Sequence, residues 1–171
     1  MINTYTSECG TVTMTDGRRL IINIPEDMFT SPGYLSSISL RINTEALGTI
    51  NNMLNRLSKL VNKIDFETIN NLLFQPTVFL DILTFLEEVH EFMGRIGLYM
   101  YEHFQVEISR WIDDEVEGWN YLQIKVILLG GGMNEISRRG IDKFMLLKSL
   151  VSIATQILPQ QLRREVVVLV E

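Results

Sequence analysis

Three consecutive glycines, Gly130-Gly131-Gly132, stand between a strand-like run and a helix-like run. A backbone free of side chains can turn its N–H groups toward an anion, and a helix N-terminus beyond it adds positive potential. Arg138 and Arg139 follow and could supply charge. Gly130, Gly131, Gly132, Arg138 and Arg139 are therefore the candidate ligand-binding set. Their spacing departs from both well-known phosphate loops. The dinucleotide pattern needs a third glycine where this chain has Glu135. The nucleotide-loop pattern needs Lys and Ser or Thr where Met133 and Asn134 stand. A flexible strand-to-helix connector is the competing and simpler reading.

Other reactive residues are sparse. Asp113, Asp114, Glu115 and Glu117 could offer oxygen ligands to a hard cation, but the closing glutamate of a calcium loop is missing. A solvated acidic turn is the simpler account. His90 and His103 fall on one expected helix. They are 13 residues apart, which is about 220° around the axis, so they cannot share a ligand within it. The spacing of a helical zinc site is missing. Cys9 has only Glu8 as a charged near neighbour, which opposes thiolate formation. There is no Gly-x-Ser-x-Gly elbow. No catalytic residue, metal site or cofactor is expected.

Composition narrows the class further. The 171 residues carry a formal net charge of -6, and 46% of them are hydrophobic. That is enough apolar material for a core and argues against disorder. It also argues against nucleic acid as a partner, which usually needs a basic face. The pairs Arg18-Arg19, Arg138-Arg139 and Arg163-Arg164 are scattered along the chain. One cysteine allows no internal disulfide. The first residues, Met1 to Glu8, lack the basic and apolar regions of a signal peptide. The run from Phe144 to Leu158 is too short and too polar to span a membrane. A cytoplasmic protein is expected.

The elements that must hold these residues follow from periodicity. Thr11 to Thr15, the turn Asp16-Gly17 and Arg18 to Ile24 predict an N-terminal hairpin. Leu35 to Ile42 could add a short strand. Leu47, Ile50, Leu54, Leu57, Val61 and Ile64 recur at three-four spacing and predict a helix over Asn43–Ile64. Asn43 or Thr44 would cap it. Asp65 caps a short helix with Ile69, Leu72 and Leu73. Pro76 opens a long one with Phe79, Ile82, Leu86, Val89, Met93, Ile96 and Met100, running to about Phe104. Its wider apolar surface makes it the central helix.

Gln105 to Ile112 and Trp119 to Leu129 read as an antiparallel strand pair. A helix beginning between Asn134 and Ile141 follows, with Phe144, Leu147, Val151, Ala154 and Leu158 as its buried stripe. Pro159 stops it. Val166 to Val170 reads as a strand covered on both faces. The strand pair, from Phe104-x-Val106-Glu107-Ile108 through Glu115-Val116 to Tyr121-Leu122-Gln123-Ile124-Lys125-Val126, resembles small uncharacterised prokaryotic proteins. It covers about a seventh of the chain, and the resemblance implies no activity and no functional residue.

The expected fold is a single α+β domain over residues 1–171. It has a β-rich part (1–42), a helical part (43–104) and a C-terminal β-β-α-β part (105–171). A ferredoxin-like closure would need a strand before the first helix, but about 80 residues and two helical signals intervene. Helices on one face of a small mixed sheet is the safer architecture. With packing stripes plentiful and chemical motifs few, the expected function is interaction or regulation, through self-association or a protein partner. The alternative is a small-ligand or anion-binding enzyme using the triglycine segment.

Overall fold

The computed structural model describes residues 10–13, 19–23, 44–112 and 120–171. It shows an α+β fold built on a four-stranded mixed sheet with helices packed near it. Those strands are β3 (Lys63–Asp65), β4 (Phe104–Ile112), β5 (Asn120–Leu128) and β6 (Val166–Val170), neighbours in that order. β3 and β4 are parallel, β4 and β5 antiparallel, and β5 and β6 parallel. Each parallel pair is adjacent, so neither crossover straddles another strand, unlike a ferredoxin-like sheet. Two further segments, β1 (Gly10–Thr13) and β2 (Arg19–Asn23), lie beyond β3. The Asp16-Gly17 turn of the expected hairpin and the segment Leu35 to Ile42 lie outside the described residues.

Alternation along the strands fixes one apolar face. Ile64, Ile108, Ile124 and Val168 are paired in register across all four strands, and each is buried. Phe104, Val106, Val126 and Leu128 extend the same face. The opposite face carries Lys63, Glu107 and Lys125 in one row. Lys63 bridges to Glu107 at 3.8 Å, and Lys125 reaches Glu171 at 3.2 Å.

Helix α1 (Thr44–Leu60) ends earlier than its apolar spacing predicts. Val61 follows it, and Ile64 sits in β3 rather than on the helix. Tertiary pairing stops the helix. The Asn62 N–H donates to the Val106 carbonyl at 2.8 Å, and its side-chain oxygen accepts from the Val106 N–H at 2.8 Å. No glycine or proline marks this boundary, so local sequence could not show it.

Helix α2 (Phe66–Phe74) starts where Asp65 indicates. Its carboxylate accepts from the Thr68 N–H at 2.8 Å. Helix α3 (Pro76–Arg95) opens on Pro76, bent 117° from α2. It buries Phe79, Ile82, Leu83, Phe85, Leu86, Val89 and Met93, and packs against α1, α2 and α5 (Lys143–Ile157). It is central, as its wide apolar surface suggests. It stops at Arg95, well short of Phe104. Gly97 (φ 72°) and Tyr101 (φ 70°) both take left-handed backbone and turn the chain back into β4. No single described helix is long and apolar enough to cross a membrane.

The segment after β5 is also redrawn. Helix α4 spans Gly130–Arg138, so the glycines form its first turn instead of preceding it. Gly140 (φ 69°) ends that unit, and Asp142 caps α5 by accepting from the Met145 N–H at 2.7 Å. The buried stripe of α5 is Leu146, Leu150 and Ala154, with Leu158 just beyond its end. Phe144 and Val151, expected to be buried, are exposed. Both stripes have helical spacing, so only the tertiary contacts choose between them. Pro159 stops α5, and a short helix α6 (Gln160–Arg163) leads into β6. Within β6 only Val168 is buried: Val167 and Leu169 share the face of Gln123 and Lys125, away from the helices, and Val166 and Val170 are half-buried in the last strand of the described order.

Candidate functional site

Gly130-Gly131-Gly132 begin α4 immediately over the turn that enters β4. Leu129 caps the helix in extended backbone, and its N–H donates to the His103 carbonyl at 2.9 Å. A Cβ on Gly132 would collide with the His103 carbonyl oxygen and lie 2.9 Å from its carbon. One on Gly131 would come within 3.2 Å of the Glu102 carbonyl oxygen. Close backbone approach thus requires glycine at position 132. Neither a side-chain cap nor an acidic residue neutralises the first turn of α4.

Arg138 and Arg139 close the same helix at its opposite end. Eight residues of rise, about 12 Å, separate Gly130 from Arg138. Both arginines bind Glu135, Arg138 through Nη2 at 2.8 Å and Arg139 through Nε at 2.6 Å. The hydrogen bond from Arg139, then that from Arg138, holds the Glu135 carboxyl below its ordinary pKa. The Arg139 guanidinium also covers Gly97, with Nη2 2.5 Å from where a Cβ would be. The structure gathers the three glycines and sets the two arginines apart from them.

The histidines do not share a helix. His90 lies on α3, whereas His103 lies in the turn before β4. The His90 Nε2 is 2.9 Å from the Leu60 carbonyl oxygen at the end of α1, and its ring tilts against Phe104 at 5.2 Å. Burial pushes its pKa below the ordinary histidine value, outweighing that hydrogen bond. The His103 Nδ1 accepts from the Tyr99 N–H at 3.1 Å. Among the described residues no group of three His, Cys, Asp or Glu could hold a metal ion. Cys9 and the acidic run Asp113 to Glu117 lie outside the described residues.

Sequence reasoning missed a cleft of about 260 Å³ between α2, the start of α3, β4, β5 and α6. Asn71, Gln75, Arg110, Leu122 and Glu165 are among its lining residues. Arg110 is already engaged by Glu67, and the Arg110 N–H donates to Asp65 at 3.0 Å. Thr68 and Tyr121 add hydroxyls to the Glu165 carboxylate there, and among the described lining residues there is no histidine, cysteine or lysine. Its residues come from five elements, so no local motif marks them.

The surface offers a different kind of feature. Phe144, Met145 and Val151 on α5 are 74%, 53% and 46% exposed. β6 lies at the end of the strand order, so one of its edges has no ladder partner among the described strands. No family model, curated protein or solved structure matches this chain.

Proposed function

We propose that this chain is a non-enzymatic interaction protein: a single α+β domain with its helices layered on one sheet face, associating with a second copy or a protein partner. The observation that carries this reading is the exposure of Phe144, with Met145 and Val151 beside it on α5. Large apolar side chains held in water favour association, because covering them removes apolar surface from solvent. Phe144 and Val151 are two helical turns apart, so one partner surface can cover both.

The test compares the wild type with Phe144→Glu/Val151→Glu by size-exclusion chromatography with light scattering and by pull-down from the native host. The reading expects a solution mass above 19.7 kDa or a retained protein, and loss of either in the double variant. A wild type that stays monomeric and elutes alone overturns it.

The uncapped first turn of α4 favours a second reading, an anion or small-ligand site on the N–H groups at Gly130, Gly131 and Gly132 alone, since Arg138 and Arg139 stand at the far end of the helix on Glu135. Thermal-shift measurements with phosphate, nucleotides and divalent metals test it. A ligand at 100 times its Kd should stabilise by about 2.7 kcal/mol. A flat response across the panel removes this reading.

A further inference from the structure

The hydrogen-bond pattern of β6 shows which of its backbone groups are committed. The Glu165 carbonyl accepts from the Leu122 N–H at 2.6 Å. At the other end Glu171 donates to the Val126 carbonyl at 3.0 Å and accepts from the Leu128 N–H at 2.8 Å. In a parallel ladder the residues bonded to one neighbour alternate with those facing away. The register pairs Val166 with Leu122, Val168 with Ile124 and Val170 with Val126. Residues 165, 167, 169 and 171 are therefore committed to β5. The N–H and C=O groups of Val166, Val168 and Val170 point out from the sheet edge.

That edge lacks the usual protections. Val166-Val167-Val168-Leu169-Val170 contains no charge, proline or glycine, and its pairing with β5 runs without a bulge. Exposed edges normally carry a lysine, a proline or a bulge that blocks further pairing. Three alternating pairs of outward donors and acceptors are complementary to one kind of partner, another extended strand.

We infer that the edge of β6 docks β6 of a second copy, antiparallel across a two-fold axis, joining two sheets into one. This rests on the self-association reading above: α5 packs on β6, so a two-fold normal to the sheet sets the α5 helices of both copies on the same side of the junction. Symmetry favours it, because a two-fold normal to the sheet pairs even-numbered residues with even-numbered ones. The apolar rows through Val166, Val168 and Val170 then continue across the junction on the same face. Charge favours the antiparallel direction. Arg163 and Arg164 precede β6, and Glu171 follows it. Antiparallel docking brings each basic pair beside the Glu171 of the other copy, while parallel docking stacks like on like. Glu165 lies at the basic end and Lys125 pairs with Glu171 at the other, so the preference rests on the net positive charge of Arg163, Arg164 and Glu165 facing a carboxylate that Lys125 shares.

The experiment introduces charges of opposite sign at Val167, on the face opposite the helices and close to the axis. Val167→Lys and Val167→Glu are each made in the full chain, and masses are measured by sedimentation velocity. The wild type is expected at twice 19.7 kDa, each variant at half the wild-type mass, and an equimolar mixture of the two restored to it. Circular dichroism confirms that each variant is folded. Amide exchange gives a readout independent of substitution: the Val166, Val168 and Val170 amides should exchange faster when the wild type is diluted to monomer. A dimer whose β6 amides ignore dilution, and which Val167→Lys does not split, overturns this inference and leaves the α5 reading standing. A wild type that is monomeric throughout overturns self-association itself, and this inference with it.

Discussion

The backbone of Gly132 lies against the backbone carbonyl of His103, with no room for a Cβ between them. This contact seats the start of α4 on the turn entering β4. Gly130, two residues earlier in the same helical turn, has open space where its Cβ would go. Gly132→Ala should therefore destabilise by about 1–3 kcal/mol or more through forced backbone movement. Gly130→Ala should stabilise by about 0.4–1 kcal/mol by restricting the unfolded chain. Urea unfolding of both variants checks the contrast. Equal losses at the two positions would show that the packing contact is not what selects glycine.

Stability should depend on pH through His90. Its pKa is lowered by burial relative to the ordinary 6.5, so the unfolded chain binds more protons in the interval below that value. Its contribution is complete above pH 6.5 and is lost as pH falls from there toward the lower folded value. His90→Gln keeps a hydrogen-bond donor near the Leu60 carbonyl without a titrating group. Unfolding free energies between about pH 7.5 and about pH 5 should fall less steeply in this variant than in the wild type. An unchanged slope would place the acid sensitivity elsewhere.

Asp65 ties three segments together. Its carboxylate accepts from the Thr68 N–H at 2.8 Å, the Thr68 hydroxyl at 2.6 Å and the Arg110 N–H at 3.0 Å. Asp65→Ala removes the cap of α2 and the link from β3 to β4, and should cost about 1–3 kcal/mol. Asp65→Asn keeps an oxygen for the Thr68 N–H and should lose less. Comparing the two by thermal and urea denaturation separates the cap from the other two bonds.

Arg56 and Glu87 join α1 to α3 through two hydrogen bonds of 2.9 Å each. Both side chains are partly solvated, so a double-mutant cycle should give a coupling of about 0.5–1 kcal/mol. In about 1 M salt, where the screening length is near 3 Å, most of that coupling should vanish. A coupling insensitive to salt would mean that the pair acts through packing of the arginine stem.

Where elements end was less legible than that they exist. Asp65 and Pro76 announced their helices because capping and the first-turn tolerance of proline are local physics. Val106 and Ile108 announced the buried face of β4 because strand alternation is local too. The ends of α1 and α3 were not legible. Asn62 leaves the helix to pair with Val106, which is distant in sequence, and Tyr101 takes left-handed backbone without being glycine. The candidate site divides in the same way. The three glycines were visible as a turn-forming run, but the reason for Gly132 is a carbonyl from another part of the chain.

By itself, the sequence of Gly130-Gly131-Gly132, Arg138 and Arg139 determined that chemistry-bearing groups stand near one another along the chain. Periodicity likewise determined an α+β fold with an apolar helix at its centre. Long-range packing settles that the arginines close the far end of α4, that Phe144 faces water while Leu146 is buried, and that β6 ends the order of described strands. The physical reason is one of range. Capping, turn preference and periodicity act within a few residues, whereas burial and strand partnership depend on which distant surfaces meet.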